Sequence, residues 1–346
     1  MKIVDNQKKM FDQLVTRASF ETGISAAAGK AKEAVHEEVN ERIDRRSFRH
    51  IAFRRALIAA ASVAAVVVGG YIFVNRPIGV QPTEMFAQLA DTSLAGSVSE
   101  ICVTTGKVSE TLSAGNKIVC TGGYIVAGDK KIKVDGIVFV AVPKGKRAEL
   151  TLNEGTKIWI NSGSKIAYAA GFGTENRDIY LNGEAYLEVS KNKKLPFRVH
   201  SAQMTVNVTG TKFNVNAYAG AAESNVVLAE GAVEVETAEN TLQLLPGQGY
   251  FVNETKEEIK QTDIYAFTCW KDGKIKLVDE PFDALMQKLS RYYGIEIISD
   301  EALNTIRFDG NLKLDDSLEN VVAALALSHD FGYTTSGNTL RINKIK

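Results

Sequence analysis

The chain has 346 residues, 45% of them hydrophobic and 24% charged, with 41 Lys+Arg against 41 Asp+Glu. That composition excludes a disordered, collagen-like or coiled-coil protein and leaves room for two domains or three. The balanced charge carries no nucleic-acid footprint, and 3 Cys are too few for a disulfide-dense scaffold.

The zero net charge hides an asymmetry. Residues 1–55 hold 12 Lys+Arg against 8 Asp+Glu, and residues 75–346 hold the other 29 and 33. Within 1–55, Phe11, Leu14, Val15 and Ala18 fall at i, i+3, i+4, i+7 on one face of a helix. A second helix is expected from Lys30 to Arg46, with Val35, Val39 and Ile43 in a narrow stripe. Thin apolar stripes want a partner to cover them; a solvated tether is the other reading of the same charges.

Residues 56–74 read ALIAAASVAAVVVGGYIFV and carry no charge. At about 1.5 Å per residue they span roughly 29 Å, close to a bilayer's hydrocarbon core. Arg45, Arg46, Arg49, Arg54 and Arg55 crowd the N-terminal side. The positive-inside rule therefore puts 1–55 in the cytoplasm and 75–346 outside it. The expectation is a single-pass inner-membrane protein with a juxtamembrane linker at 75–96.

From 97 to 252 the period is two. Short β-rich runs recur about every ten residues, split by turns such as Asn153-Glu154-Gly155 and Asn182-Gly183. That is an all-β domain, a sandwich, barrel or β-solenoid. Glu184 and Glu188 share one strand face, expected to be solvated. Residues 253–268 are charged and poor in core residues, so a linker is expected there. From 269 to 346 the order is β-α-β-β-α-β-β, a small α+β domain. Its helices are expected over Phe282–Tyr292, with Phe282, Leu285, Met286 and Leu289 inward, and over Leu318–Ser328.

The run VPKGKRAELTLNEGTKIWINSGSKIAY and then YLNGEAYLEVSKNKKLPFRVHSAQMTVNVTGTKFNV, within Val142–Val215, resembles the periplasmic domain of the FecR family of sigma-factor regulators. The shared features are a Gly-containing turn, a Lys–apolar–Trp–apolar–Asn strand, then G-E-A-Y-x-E-V, P-F-x-V and G-T-x-F-x-V, in that order. The stretch from Cys269 is similar to the domain appended to such proteins in Bacteroides-type bacteria, itself akin to the secretin and TonB N-terminal signalling module. The resemblance implies an anti-sigma factor. Its cytoplasmic end would hold an extracytoplasmic-function sigma factor, through Phe11, Leu14, Val15, Val35, Val39 and Ile43. Its periplasmic end would meet the N-terminal signalling domain of a TonB-dependent outer-membrane transporter. Residues 1–55 lack the Trp usual in the family's cytoplasmic motif.

No cofactor or metal is implied: His36, His50, His200 and His329 stand apart, without ligand spacing. The resemblance singles out Gly210-Thr211, where some family members cut themselves by an N-to-O acyl shift, one event without turnover; the alternative is a turn Gly before a strand Thr. Cys102 and Cys120, in neighbouring expected strands, are a disulfide candidate, with buried thiols as the other reading. Trp159 and Trp270 are expected as core or domain-interface anchors. The strand Lys274, Ile275, Lys276, Leu277 and Val278 is the expected edge for the transporter domain, by strand addition. A membrane-anchored hydrolase would need paired acids or a nucleophile–base pair, and none shows. A structural envelope protein built on the secretin-like module, with no sigma partner, is the alternative function.

Overall fold

Alternation sets the architecture. In Ile137–Ala141, Val138 and Val140 are fully buried while their neighbours are not, and Lys157–Ile160 and Thr205–Val208 repeat the pattern. Strands buried on one side need a second layer, and here two sheets supply it to each other. The computed structural model describes residues 99–112 and 117–345. The readings for 1–55, 56–74 and 75–96 lie outside these residues, including the six side chains proposed to hold a sigma factor. Among the described residues, no helix is long and apolar enough to cross a membrane.

The strands run in chain order as β1 (Ile101–Thr105), β2 (Val108–Leu112), β3 (Lys117–Thr121), β4 (Tyr124–Ala127), β5 (Lys130–Lys133) and β6 (Ile137–Ala141). Then come β7 (Ala148–Thr151), β8 (Lys157–Ile160), β9 (Lys165–Ala169), β10 (Arg177–Glu188), β11 (Phe197–His200) and β12 (Thr205–Val208). The last six are β13 (Lys212–Ala217), β14 (Ser224–Glu230), β15 (Val233–Glu236), β16 (Thr241–Leu244), β17 (Gln248–Val252) and β18 (Glu257–Gln261). Sheet A orders them β2-β1-β6-β9-β10-β11-β12-β15-β16. Sheet B orders them β5-β4-β3-β7-β8-β10-β13-β14-β17-β18. Successive strands and strand pairs hop between the sheets, and one core, from Ile101 and Val103 through Phe213 to Tyr250, fills the space between them.

β10 belongs to both sheets. Its first half pairs with β9 up to Asn182↔Lys165, and its second half pairs with β8 and β13 from Gly183. The Asn182-Gly183 dipeptide, expected as a turn, is the crossover of one continuous strand. Gly183 has φ 135°, and a Cβ there would lie 2.6 Å from the Ser164 Cα. Only glycine allows that approach.

Residues 253–268 are not a bare linker. β18 pairs along β17, and helix α1 (Ile264–Thr268) is capped by Asp263, which accepts from Tyr265 N. One apolar residue, Ile259, hides the strand from periodicity; its charges suit an edge. A 3-10 turn, Cys269–Asp272, follows.

The C-terminal domain runs β19 (Lys274–Pro281), α2 (Phe282–Tyr293), β20 (Glu296–Ser299), β21 (Arg307–Lys313), α3 (Leu318–Ser328), β22 (Phe331–Ser336) and β23 (Thr339–Lys344). β19 pairs with β21; β20, β23 and β22 form a three-stranded sheet. α2 buries Phe282, Leu285, Met286 and Leu289, the stripe read from spacing, and Ser317 caps α3 by accepting from Asn320 N. A second core, including Ile275, Phe308, Val322 and Leu340, closes this domain.

Candidate functional site

The signature residues meet at the joint between the sandwich and the C-terminal domain. Asn161 ends the β8 run, Glu184 sits on β10 and Asn214 on β13, all turned to the outer face of sheet B. Asn161 Nδ2 donates to Glu184 Oε2 at 2.8 Å, and Asn214 Nδ2 donates to Glu184 Oε1 at 3.0 Å. Asn214 Oδ1 in turn accepts from Trp270 Nε1 at 3.0 Å. Trp270 is 7% exposed, so the chain of hydrogen bonds runs from the GEAY carboxylate into the start of the next domain. Buried polar groups joined in this way fix one relative placement of the parts they join.

Arg147, just before β7, completes the joint. It donates to the Trp270 carbonyl at 2.5 Å and to Tyr292 Oη at 3.0 Å, with its guanidinium 4.6 Å from the Tyr292 ring. Opposite, Arg291 lies 4.4 Å from the Tyr218 ring, and its carbonyl accepts from Gly145 N. Beside them is a cleft of about 420 Å³, walled by Lys144, Gly163 and Tyr218 of the sandwich and by Met286, Arg291 and Ile297 of the C-terminal domain.

Burial raises the Glu184 pKa, against the opposing pull of the Asn161 and Asn214 amides and then of Lys288 and Arg291. So Glu184 is not on a solvated face. Strand period told which way it points but not that α1, the 3-10 turn and α2 would cover that way. Phe267 of α1 packs edge-on to Phe251 at 5.6 Å on the same face. Trp270 is an interface anchor, as expected. Trp159 is not in the core: it pairs with Tyr186 across β8 and β10, ring centroids 5.6 Å apart.

Gly210 and Thr211 lie between β12 and β13. Gly210 has φ 148°, and a Cβ there would stand 2.8 Å from the Lys191 Cα. Val189 N donates to the Thr211 carbonyl, and Asn192 N to that of Thr209. Thr211 Oγ1 donates to the Ala232 carbonyl at 2.8 Å. The hydroxyl proton therefore rests on a peptide oxygen, which holds it without acting as a base. Buried Arg177 secures the covering segment, donating to the carbonyls of Ser190, Asn192 and Leu195.

Cys102 and Cys120 are both thiols. They sit in different sheets, β1 and β3, and each sulfur has another partner: Ser109 Oγ at 3.2 Å and Tyr168 Oη at 2.9 Å. Neighbouring strands in sequence need not neighbour in space, which is why the disulfide reading fails. Burial pushes the Cys120 thiol up to about 11.

The Lys274–Val278 strand is also less open than expected. One edge pairs with β21; Ile275 and Leu277 point into the core. Lys276 pairs with Asp263 at 2.5 Å, and its backbone N–H reaches the Cys269 sulfur. Only Val278, 56% exposed, and Lys274 face solvent outright. The segment expected as a linker folds back along this strand. Among the described residues no cluster of metal-ligating side chains occurs.

Residues 139–234 match the family model for FecR protein, and residues 274–342 match that for FecR, C-terminal. Two crystal structures of a candidate anti-sigma factor from Parabacteroides distasonis, at 2.50 and 1.65 Å, superpose with TM-scores of 0.57 at 29% identity. They cover 61% and 60% of this chain and 100% and 99% of theirs. No curated protein matches.

Proposed function

We propose, from the premise that this chain belongs to the FecR family, that it is an anti-sigma factor working across the inner membrane. Residues 1–55 hold an extracytoplasmic-function sigma factor in the cytoplasm, and residues from 75 onward stand in the periplasm. There the chain receives the N-terminal signalling domain of a TonB-dependent transporter, and arrival of the transported substrate changes the hold on the sigma factor. The observation that carries this reading is the Glu184–Asn214–Trp270 chain. It ties the first matched region to the turn that leads into the second, and Arg147 bonds on to Tyr292 within that second region, so an event on the C-terminal domain reaches the sandwich through a defined contact. The protein is a binding relay and has no turnover. Cleavage at Gly210-Thr211 would be a single event per chain; two fragments divided after Gly210 on a denaturing gel would establish it, and a single intact band would exclude it.

The test is to purify tagged full-length protein from its native membrane and identify what stays bound, with a deletion of residues 1–50 as control. A sigma factor present with the full chain and absent with the deletion is the expected result. Envelope proteins alone in both samples would sink the relay and favour a structural envelope role.

A further inference from the structure

The three-stranded sheet of the C-terminal domain has an open edge. β20 pairs on one side only, parallel to β23. Glu296 N donates to the Asn338 carbonyl, and Asp300 N to the Ile342 carbonyl. A parallel ladder bonds alternate residues, so Ile297 and Ser299 turn their N–H and C=O groups the other way. Among the described residues, nothing bonds those groups. Of the sheet's two edge strands, β20 is the one that borders the cleft between the domains, and Ile297 and Ser299 both line it.

Two cations converge in the same cleft. A Cβ at Gly163 would lie 3.7 Å from Lys144 Cγ and 3.9 Å from Arg291 Cδ. Among the described residues neither cation has an ion-pair partner, and Arg291 lies over the Tyr218 ring. The acids nearby are otherwise engaged or stand apart. Glu184 is buried in the joint and held by its two amides. Glu280 takes Lys288, Glu296 accepts from Thr339 Oγ1, and Asp300 caps the turn after β20. Asp283, the cleft's own carboxylate, stands in the first turn of α2, about 12 Å along the helix from Arg291. The cleft is thus basic at one end and acidic at the other.

We propose that the β20 edge receives an extended segment of a partner protein by strand addition, with an acidic side chain of that segment seated between Lys144 and Arg291. Backbone bonds to Ile297 and Ser299 give a directional hold, and the two cations pin the register. This rests on the relay reading, in which the partner is the transporter's signalling domain. It moves the contact away from β19, where Asp263 and the Cys269 turn already hold Lys276. Sandwich and C-terminal domain both wall the cleft, so the added strand touches both.

The test uses full-length protein in detergent and short fluorescent peptides of alternating Thr and Val, read by anisotropy. One peptide carries a central Glu and its twin a central Lys. The Glu peptide is expected to bind about tenfold more tightly, or better. Lys144→Gln with Arg291→Gln should bring the two peptides level. Two further Glu peptides are N-methylated on alternate backbone nitrogens, one on the odd set and one on the even. A strand added to an edge turns only alternate N–H groups towards it, so one set should abolish binding and the other spare it. Equal effects of the two sets, equal binding of the Glu and Lys peptides to wild type, or no binding at all would overturn the proposal. So would a dimer of the chain that comes apart as the peptide binds, which assigns the edge to a second copy. The sigma-factor purification reads the relay separately. A retained sigma factor without peptide binding removes this edge alone; peptide binding without a sigma factor removes the relay and leaves the edge.

Discussion

Across sheet B, Trp159, Tyr186, Asn214 and Val227 stand in one row; across sheet A, Phe139, Ala167, Tyr180 and His200 stand in another. The rows have the same geometry and different chemistry. Sheet B's row has a buried amide at its centre, and that amide is bonded on one side to Glu184 and on the other to Trp270. Its cover is held by directional bonds and can sit in one place only. Sheet A's row has an alanine between two aromatic rings. Contacts of that kind reward burial but set no angle. The difference teaches where this fold is keyed: directional bonds fix the C-terminal domain to sheet B, whereas the polar contacts of the sheet A row, Asp178 with Arg198 and Tyr180 stacked on His200, stay within that sheet.

The most severe way to break the comparison is to damage the strand that both sheets share. Gly183→Ala would place a Cβ 2.6 Å from the Ser164 Cα at φ 135°. Strain and overpacking of that kind cost about 2–6 kcal/mol together, enough to lose both faces at once. Adding Ser164→Gly removes the side-chain clash but not the clash with Cα, so it should restore only part of the stability. Thermal unfolding of the two variants checks this. A Gly183→Ala protein with native stability would mean that β10 does not pass between the sheets as described.

A smaller and more selective cut falls on sheet B alone. Trp270→Ala removes a buried indole and should cost about 3 kcal/mol or more. The loss is local: proteolysis should open the stretch from β18 to β19, while Cys102, buried on the far sheet, should react with a maleimide no faster than in the wild type. Trp270→Phe keeps much of the packing and orphans Asn214 Oδ1, which costs about 1–3 kcal/mol. If Trp270→Ala exposed Cys102 as readily as it opened the joint, the two faces would not be independent.

Much of this was legible in the sequence. The two-residue period marked the sandwich strands, and the stripe at Phe282, Leu285, Met286 and Leu289 marked α2 because both signals are local. What could not be read were facts about company. Glu257–Gln261 is a strand because β17 offers it an edge, not because of its single apolar residue. Asn182-Gly183 has the composition of a hairpin turn, but its glycine serves a close approach to Ser164. Glu184 alternates correctly, and nothing in alternation tells that a second domain covers its face. Cys102 and Cys120 are near in sequence and on opposite sheets. Of the joint's residues, Asn161 and Glu184 stood in the family pattern, while Asn214 fell at one of its free positions and Arg147 outside it; their convergence on Trp270 needed three dimensions.

The finest test concerns the charge at the centre of the keyed face. Burial raises the Glu184 pKa, so the folded state keeps this proton to higher pH than the unfolded chain does. Its contribution to stability is then fully present below the ordinary carboxylate range and is lost as pH rises through the raised value. Above that value the loss is complete and constant. Glu184→Gln cannot ionise, so the stability difference between wild type and variant should move against wild type over that interval and level off beyond it. Lys288 and Arg291 oppose the shift by favouring the charged form. Replacing Arg291 with Gln should therefore raise the Glu184 midpoint and carry the interval to higher pH. Denaturant midpoints measured for the three proteins across pH 4 to 8 decide it. A wild-type-minus-Glu184→Gln difference that stayed flat over this range would mean that the carboxylate is already solvated, and that the C-terminal domain does not close over sheet B as tightly as the Asn214–Trp270 bond requires.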